Sequence, residues 1–271
     1  MIGSVGNFPL RTPTLPPATH TNCWFLGHRE LVIVDPGSPY EDQLDGIVKH
    51  IESLGELSRP LRILLTHHHG DHIGSVTQLV SHFGAEVLAH EQSVALLPFK
   101  VDIVLRDGEE IITDLKNGDI QRWRVIYTPG HTRGHIALFD SETGELIAGD
   151  MVAGEGTILI LPDEGDLGEY LDSLALLKTL DVTHVYPAHG PILPPTVFEE
   201  YIDHRNMRSG LIVESLSSDN GSSLLQLVPR VYPGLPDNYQ RVASLQIMTH
   251  LNWLEKNRLV VQSPDGVWFS I

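Results

Sequence analysis

Four apolar segments of this chain are each followed directly by a side chain that can bind a metal ion. The segments are short and are bounded by glycine-containing turns, which is the pattern of buried strands. The candidate ligands at their ends are His67, His131, Asp150 and His189. In open α/β folds, functional side chains gather at the carboxyl ends of strands. The pattern therefore predicts an α/β fold in which two mixed sheets, covered by helices on their outer faces, bring these side chains to one edge.

The densest group of candidate ligands lies in the segment 64–74. It contains His67, His69, Asp71 and His72. The apolar residues 61–65 predict a strand and residues 75–83 predict a helix, so the group lies on a strand-to-helix turn. Imidazole and carboxylate ligands together are typical of zinc sites, and less often of iron or manganese sites. A chance histidine-rich turn is the alternative, and the candidates on the other strands count against it.

Composition and charge exclude several classes of protein. The chain has 271 residues, of which 41% are hydrophobic, and it has no apolar run of membrane-spanning length. Residues 1–10 lack the features of a signal peptide and the single cysteine, Cys23, excludes an intramolecular disulfide, so we expect a cytoplasmic protein. A net charge of −17 argues against a broad nucleic-acid-binding surface. It leaves small substrates open, because bound metal ions add local positive charge.

The composition changes from about residue 197 onward. The elements predicted there are helices over 198–216, 224–228 and 239–254 and a hairpin over 259–271. Such helix-and-wing modules often contact DNA. Residues 200–271 carry six basic and seven acidic side chains, however, which favours packing or dimerisation. We therefore predict a catalytic domain over 1–200 and a winged-helix-like module over 201–271.

Five motifs in this chain resemble those of the metallo-β-lactamase superfamily in order and spacing, over roughly residues 20–200. They are Asp35-Pro36-Gly37, His67-x-His69-x-Asp71-His72, Thr128-Pro129-Gly130-His131, Gly149-Asp150 and His189-Gly190. The resemblance implies an αββα sandwich with a dinuclear metal site between the sheets. It also implies two divalent metal ions, zinc first, with iron or manganese as alternatives.

The resemblance assigns a role to each candidate residue. His67, His69 and His131 match the ligands of the first metal, and Asp71, His72 and His189 match those of the second. Asp150 matches the bridging ligand, Asp35 matches an aspartate that orients a ligand histidine, and His135 is expected to support the site. The cysteine ligand of several antibiotic-degrading members has no counterpart here, so we do not expect β-lactamase activity.

A narrower resemblance covers the whole chain and points to the β-lactamase-like protein 2 branch of the superfamily. It is carried by the winged-helix-like module and by the segments 154–157, 170–174, 186–191 and 201–205. That branch includes a mitochondrial single-strand endoribonuclease and fungal thioesterases that release polyketides from acyl carrier proteins. The branch therefore implies a hydrolase but leaves two kinds of bond open.

The implied ligand set predicts hydrolysis by a metal-bridging hydroxide. Two metal ions about 3.5–4 Å apart can share a water molecule and lower its pKa to about 7. Asp71 would orient the resulting hydroxide for attack. No serine or cysteine nucleophile with an evident base competes with this chemistry in the sequence.

Three functions follow as hypotheses. The preferred one is hydrolysis of an ester or thioester on a small molecule, coenzyme A or an acyl carrier protein, because the acidic composition disfavours long RNA. The first alternative is cleavage of single-stranded RNA, which the branch resemblance favours. The second is a non-catalytic metal-binding scaffold. We expect no membrane partner, and we keep open a homodimer through the apolar residues Leu245, Leu251, Trp253 and Leu254.

Overall fold

The computed structural model of the chain describes residues 5–55, 61–216 and 221–271. Contacts divide the chain into two compact units. The first comprises 1–128, 133–158 and 178–195, and the second comprises 129–132, 159–177 and 196–271. The predicted domain ranges, 1–200 and 201–271, stay a prediction. Of the predicted polar break at 217–221, residues 217–220 lie outside the described residues.

A six-stranded mixed sheet begins the first unit. Its strands, in sheet order, are β1 (Gly6–Arg11), β2 (His20–Leu26), β3 (Val32–Val34), β4 (Arg62–Leu65), β5 (Glu86–His90) and β6 (Ile103–Leu105). The first three strands pair antiparallel, and β3 to β6 pair parallel. The prolines among residues 1–19 predict irregular or edge-strand structure, because a proline cannot donate a hydrogen bond within a sheet, and the edge strand β1 forms there.

A five-stranded mixed sheet follows in the same unit. Its strands are β7 (Glu110–Asp114), β8 (Ile120–Tyr127), β9 (Ile136–Asp140), β10 (Glu145–Gly149) and β11 (His184–Pro187), in the order β11-β10-β9-β8-β7. Only β10 and β11 pair parallel among these strands. The prediction of two mixed sheets is confirmed.

The two sheets share one apolar core. Trp24 and Leu64 from the first sheet lie in the same buried cluster as Trp123 and Ile147 from the second. The opposite face of the first sheet is covered by helices α1 (Glu41–Ser53) and α3 (Val76–Phe83), while the short α2 (Gly70–Ile73) lies between β4 and α3. The apolar spacing predicts helices over 42–54 and 75–83, and both covering helices lie within one residue of these bounds. The apolar core between the sheets and the helices on the first sheet together hold the ends of β3, β4, β10 and β11 in place.

Two local features were not predicted correctly. The sequence of residues 91–97 predicts a short helix, but only the 3-10 turn Val94–Leu96 forms, and both of its end residues are exposed. A longer helix there would lack an apolar face to bury. Strand β6 was not predicted, because it is three residues long and leaves Ile103 and Val104 exposed at the sheet edge.

The second unit is mainly helical. It contains most or all of α4 (Leu167–Lys178), α5 (Val197–Ser215), α6 (Leu224–Val231) and α7 (Gln240–Lys256), the 3-10 turn Asp237–Tyr239, and the hairpin of β12 (Val260–Gln262) and β13 (Trp268–Ser270). Ile212, Ile247 and Trp268 join one buried cluster, which confirms the helix-and-wing module. Leu251 and Leu254 lie inside this cluster, so the module's own packing uses them. No described helix has the length and apolarity needed to cross a membrane.

Gly37 permits a close approach between two loops of the first unit. A Cβ at this position would lie 1.7 Å from the backbone oxygen of Asp71. Any larger residue must therefore push the His67–His72 turn away from the end of β3. By contrast, a Cβ at Gly70 would meet nothing within 4 Å.

We expect Gly37→Ala to destabilise the protein by about 1–3 kcal/mol, the usual cost of forcing extra atoms into a packed site. Gly70→Ala is the matched control, because it adds the same methyl group to open space in the same region. Thermal unfolding of the two variants measures the difference. Equal melting temperatures for Gly37→Ala and wild type would contradict the close approach.

His250 on α7 is a buried neutral imidazole. Its Nδ1 lies 2.8 Å from the hydroxyl oxygen of Ser209. Burial, followed by the positive charges of Arg205 and Arg208 and a smaller effect of His204, lowers its pKa to about 3. Because the unfolded chain takes up this proton near pH 6.5 and the folded one does not, stability is lost as pH falls below that value.

We expect the wild-type protein to lose up to about 1.4 kcal/mol of unfolding free energy per pH unit through His250 as the pH falls from about 6.5 to 4. The variant His250→Asn keeps a polar side chain without this titration. The difference between the two proteins in unfolding free energy against pH isolates the contribution. Parallel pH profiles would show that His250 is not held neutral.

Candidate metal centre

The turn after β4 brings two imidazole nitrogens together. His67 is fully buried and His69 is partly exposed. Nε2 of His67 lies 3.0 Å from Nδ1 of His69. Nδ1 of His67 lies 3.0 Å from the Thr66 hydroxyl, which itself donates to Asp35 at 2.6 Å. Since that hydroxyl donates its hydrogen bond to Asp35, it accepts one from His67 Nδ1, and the Nε2 of His67 faces His69.

Asp35 joins the ends of β3 and β4. Its backbone has a φ of 55°, in the left-handed region that aspartate tolerates better than most residues. Its buried carboxylate accepts hydrogen bonds from Thr66 N at 2.8 Å and from His72 Nδ1 at 2.9 Å, in addition to the Thr66 hydroxyl. The second bond places a proton on Nδ1 of His72, so Nε2 is the nitrogen that can release its proton and bind a metal ion.

That Nε2 atom faces two carboxylates. It lies 3.6 Å from Asp150 Oδ1 and 3.9 Å from Asp71 Oδ1. It is buried and has no hydrogen-bond partner within the described part of the chain. A buried imidazole nitrogen that faces two carboxylates is a place for a cation, which is either a proton on the ring or a metal ion.

His189, just after β11, completes this arrangement from the opposite side. Its Nδ1 donates to the backbone oxygen of His20 at 2.9 Å. Its Nε2 lies 3.4 Å from Asp150 Oδ1 and 3.6 Å from Asp71 Oδ2. Ligand atoms of Asp71, His72 and His189 all lie within 4.8 Å of one another, as do those of His67, His72 and Asp150. The donor set of imidazoles and carboxylates fits zinc, iron or manganese.

The pKa values of the groups in this cluster also indicate that it stabilises a positive charge. Burial disfavours the protonated form of His72, but the nearby carboxylates of Asp150, Asp35 and Asp71 outweigh it and hold the pKa well above its ordinary value. The pKa of His189 is raised for the same reason, chiefly by Asp150 against the effect of burial. Burial raises the pKa of Asp150, yet the imidazoles of His189 and His72 bring it well below its ordinary value. Without metal, protons on the imidazoles supply the positive charge that a metal ion would bring.

His135 contacts the backbone of Asp150. Its Nε2 accepts a hydrogen bond from Asp150 N at 3.0 Å, and its Nδ1 lies 2.8 Å from the Thr128 hydroxyl. Gly149 makes this approach feasible, because it has a φ of 51° and a Cβ there would lie 2.6 Å from His135 Nε2. His135 therefore holds the end of β10 instead of offering its Nε2 to a metal.

His131 belongs to the short segment 129–132 of the second unit. It is buried, and its Nδ1 lies 2.7 Å from the backbone oxygen of Leu159 in the same unit. A donated Nδ1 proton leaves the Nε2 of His131 able to bind a metal. Its assignment to the first metal ion stays a prediction.

Sequence reasoning missed the residues that orient the ligands. Thr66 gave a weak signal, because it stands between the end of a predicted strand and the first histidine. The His20 carbonyl gave none, since a backbone group leaves no trace in side-chain patterns. Asn22 gave no signal of its own, because the sequence predicts only a short strand over 21–27 there.

Comparisons with known proteins agree with this geometry. Residues 16–189 match the metallo-beta-lactamase superfamily, and residues 223–268 match the beta-lactamase associated winged helix domain. The Beta-lactamase-like protein 2 homolog of Caenorhabditis elegans is 29% identical over 228 residues, which cover 80% of this chain and 72% of that protein.

Two solved structures are also similar. The metallo-beta-lactamase family protein TTHA1429 from Thermus thermophilus has a TM-score of 0.80 at 23% identity, with 99% of each chain covered. TTHA1623, solved in a di-iron-bound form, has a TM-score of 0.54 at 27% identity, covering 72% of this chain and 98% of that one. The predicted fold class is confirmed. The chain belongs to the metallo-beta-lactamase superfamily, a family of metal-dependent hydrolases, and carries the winged helix domain associated with it.

Proposed function

We propose that this hydrolase uses two divalent metal ions to cleave an ester or thioester of a small molecule, coenzyme A or a carrier protein. One observation supports the metal site above all. The Nε2 atoms of His72 and His189 approach the same Asp150 oxygen, at 3.6 and 3.4 Å. The proposed ligands are His67, His69 and His131 for one ion, Asp71, His72 and His189 for the other, and Asp150 for both. Zinc is the first candidate, and the di-iron form of TTHA1623 supports iron as the alternative.

Asp71 and Asp150 have different proposed roles in hydrolysis. When bound, the metal ions would acidify a water molecule and polarise the carbonyl of the substrate. The Asp71 side chain is 17% exposed, and its two oxygens face His72 and His189 at 3.9 and 3.6 Å. It therefore lies where solvent reaches the cluster and can orient the attacking water. The more buried Asp150 compensates positive charge within the cluster.

The distribution of basic side chains supports an acyl substrate. Four exposed basic residues of the first unit form ion pairs with acidic neighbours: Arg11 with Asp42, Lys100 with Asp102, Arg106 with Glu91 and Arg122 with Glu110. Proteins that bind single-stranded nucleic acid use a positively charged groove that follows the phosphates. Exposed cations already paired with carboxylates, on a chain of net charge −17, are poorly suited to that task.

Cleavage of single-stranded RNA is the second candidate. It is supported by the similarity to the Caenorhabditis elegans protein over 80% of this chain, since the branch to which such sequences are similar includes an endoribonuclease. The same metal ligands serve a phosphodiester as well as an ester. The substrate must therefore be decided by direct comparison.

We expect zinc-loaded protein to hydrolyse acyl-coenzyme A thioesters and not labelled single-stranded RNA, both measured with the same preparation. His67→Ala should lower kcat/KM by at least about 100-fold, the usual scale for losing a group essential to such chemistry. His82→Ala is the matched control, because His82 is an exposed histidine that pairs with the exposed Glu52. Turnover of RNA alone, lost in His67→Ala and kept in His82→Ala, would refute the thioesterase proposal.

We expect about two equivalents of metal per chain by elemental analysis of carefully purified protein, as a dinuclear site requires. Less than one equivalent would contradict the dinuclear centre.

Asp71→Ala separates catalysis from a scaffold role. We expect this variant to lose hydrolysis while it keeps its fold, whereas a protein that hydrolyses nothing in either form would favour the scaffold.

A further inference from the structure

The turn that carries His189 is held by hydrogen bonds from β2. The backbone oxygen of Pro187 accepts from Asn22 Nδ2 at 3.0 Å and from Trp24 Nε1 at 3.2 Å. The oxygen of Ala188 accepts from Asn22 N at 2.7 Å, and the oxygen of Gly190 accepts from Asn22 Nδ2 at 2.8 Å. The carbonyl groups on both sides of His189 thus depend on one residue that lies more than 160 positions earlier in the chain.

The side chain of Asn22 is suited to this role by its chemistry. It is 6% exposed, and both protons of its single amide nitrogen are used, one for Pro187 and one for Gly190. Its oxygen accepts from Asn7 Nδ2 at 3.1 Å, which fixes the orientation of the amide. A carboxylate of the same shape would offer only acceptors to two carbonyl oxygens, so aspartate cannot replace it.

The same strand also orients the imidazole directly. The backbone oxygen of His20, two residues before Asn22, accepts from His189 Nδ1 at 2.9 Å. Strand β2 therefore holds the backbone of the turn through Asn22 and the ring through His20. With both contacts made, His189 Nε2 points at Asp150 and Asp71, at 3.4 and 3.6 Å.

We propose that Asn22 is the positioning residue for the metal ligand His189. The inference rests on the proposed ligand role of His189 and adds a residue that acts through it. A simpler structural role would be to close the junction between two sheets. The two roles differ in consequence: a positioning residue changes the affinity of one metal ion, whereas a purely structural residue changes global stability and leaves the ratio of the two metal affinities unchanged.

The deciding variant is Asn22→Asp, in the full chain. It preserves size and adds a negative charge near the metal cluster, and that charge alone would strengthen the binding of a cation. Loss of positioning should weaken it instead, by about 10- to 100-fold, the usual effect of removing a residue that orients a ligand. The direction of the change therefore separates the two effects. Asn238→Asp makes the same substitution at an exposed position and is the control.

The measurement is a zinc titration of metal-free protein against a chromophoric chelator, with thermal unfolding of each metal-free variant alongside. We expect wild type and Asn238→Asp to bind two equivalents. Asn22→Asp and His189→Ala should keep one equivalent and lose affinity for the other. In the His189→Ala background, Asn22→Asp should cause no further loss of affinity, because the positioning effect passes through His189.

The outcomes separate this inference from the proposed function. If His189→Ala leaves both affinities unchanged, the ligand assignment fails. If His189→Ala weakens one site and Asn22→Asp does not, or strengthens it, only the role of Asn22 is refuted. If Asn22→Asp does not fold, Asn22→Ser replaces it in the experiment. Serine keeps one hydrogen-bond donor, so we expect a smaller loss of metal affinity at the same site. Equal losses at both sites would also refute the positioning role.

Discussion

The carboxylate of Asp35 is the group on which the candidate metal centre of the first unit depends. It is buried and accepts three hydrogen bonds, from the backbone and hydroxyl of Thr66 and from His72. Hydrogen bonds to charged groups contribute roughly 1.5–3 kcal/mol each, so together these three partners compensate the buried charge. Because the Thr66 hydroxyl donates to Asp35, it must accept from His67. One carboxylate therefore sets the tautomers of two imidazoles and turns the Nε2 atom of each toward the cluster.

Two further histidines proposed as ligands, His189 and His131, also have an acceptor next to Nδ1, in each case a backbone oxygen. Nδ1 of His189 donates to the oxygen of His20, and Nδ1 of His131 lies next to the oxygen of Leu159. His135 is the exception, because its Nε2 already accepts from Asp150 N, and it therefore supports the backbone. The partner of Nε2 thus distinguishes His135, which accepts a backbone hydrogen bond there, from the histidines whose Nε2 can bind a metal.

Sequence reasoning predicted side chains that the structure brings together, but not the groups that orient them. The strands and most helices followed from apolar periodicity, and His67, Asp150 and His189 followed from their position just after strands. Thr66 and Asn22 act through backbone atoms or through hydrogen bonds across distant segments, and periodicity does not report such contacts. Strand β6 was missed because short, exposed edge strands carry little apolar signal. The strands and helices that burial determines were predictable. The contacts of Thr66 and Asn22, which depend on individual hydrogen bonds, were not.

The choice between an acyl and a nucleic-acid substrate depends on what the basic side chains already do. In the second unit, Arg208 donates to the oxygen of Val231 at 2.7 Å and Arg230 donates to the oxygen of Ser215 at 2.9 Å. These oxygens end α6 and α5, where carbonyl groups lack helical partners and a cation is stabilising. A guanidinium bound to the end of a helix is less available to a phosphate. The winged module thus uses these two cations at its own helix ends, and the described contacts favour a role in packing over recognition of a polyanion.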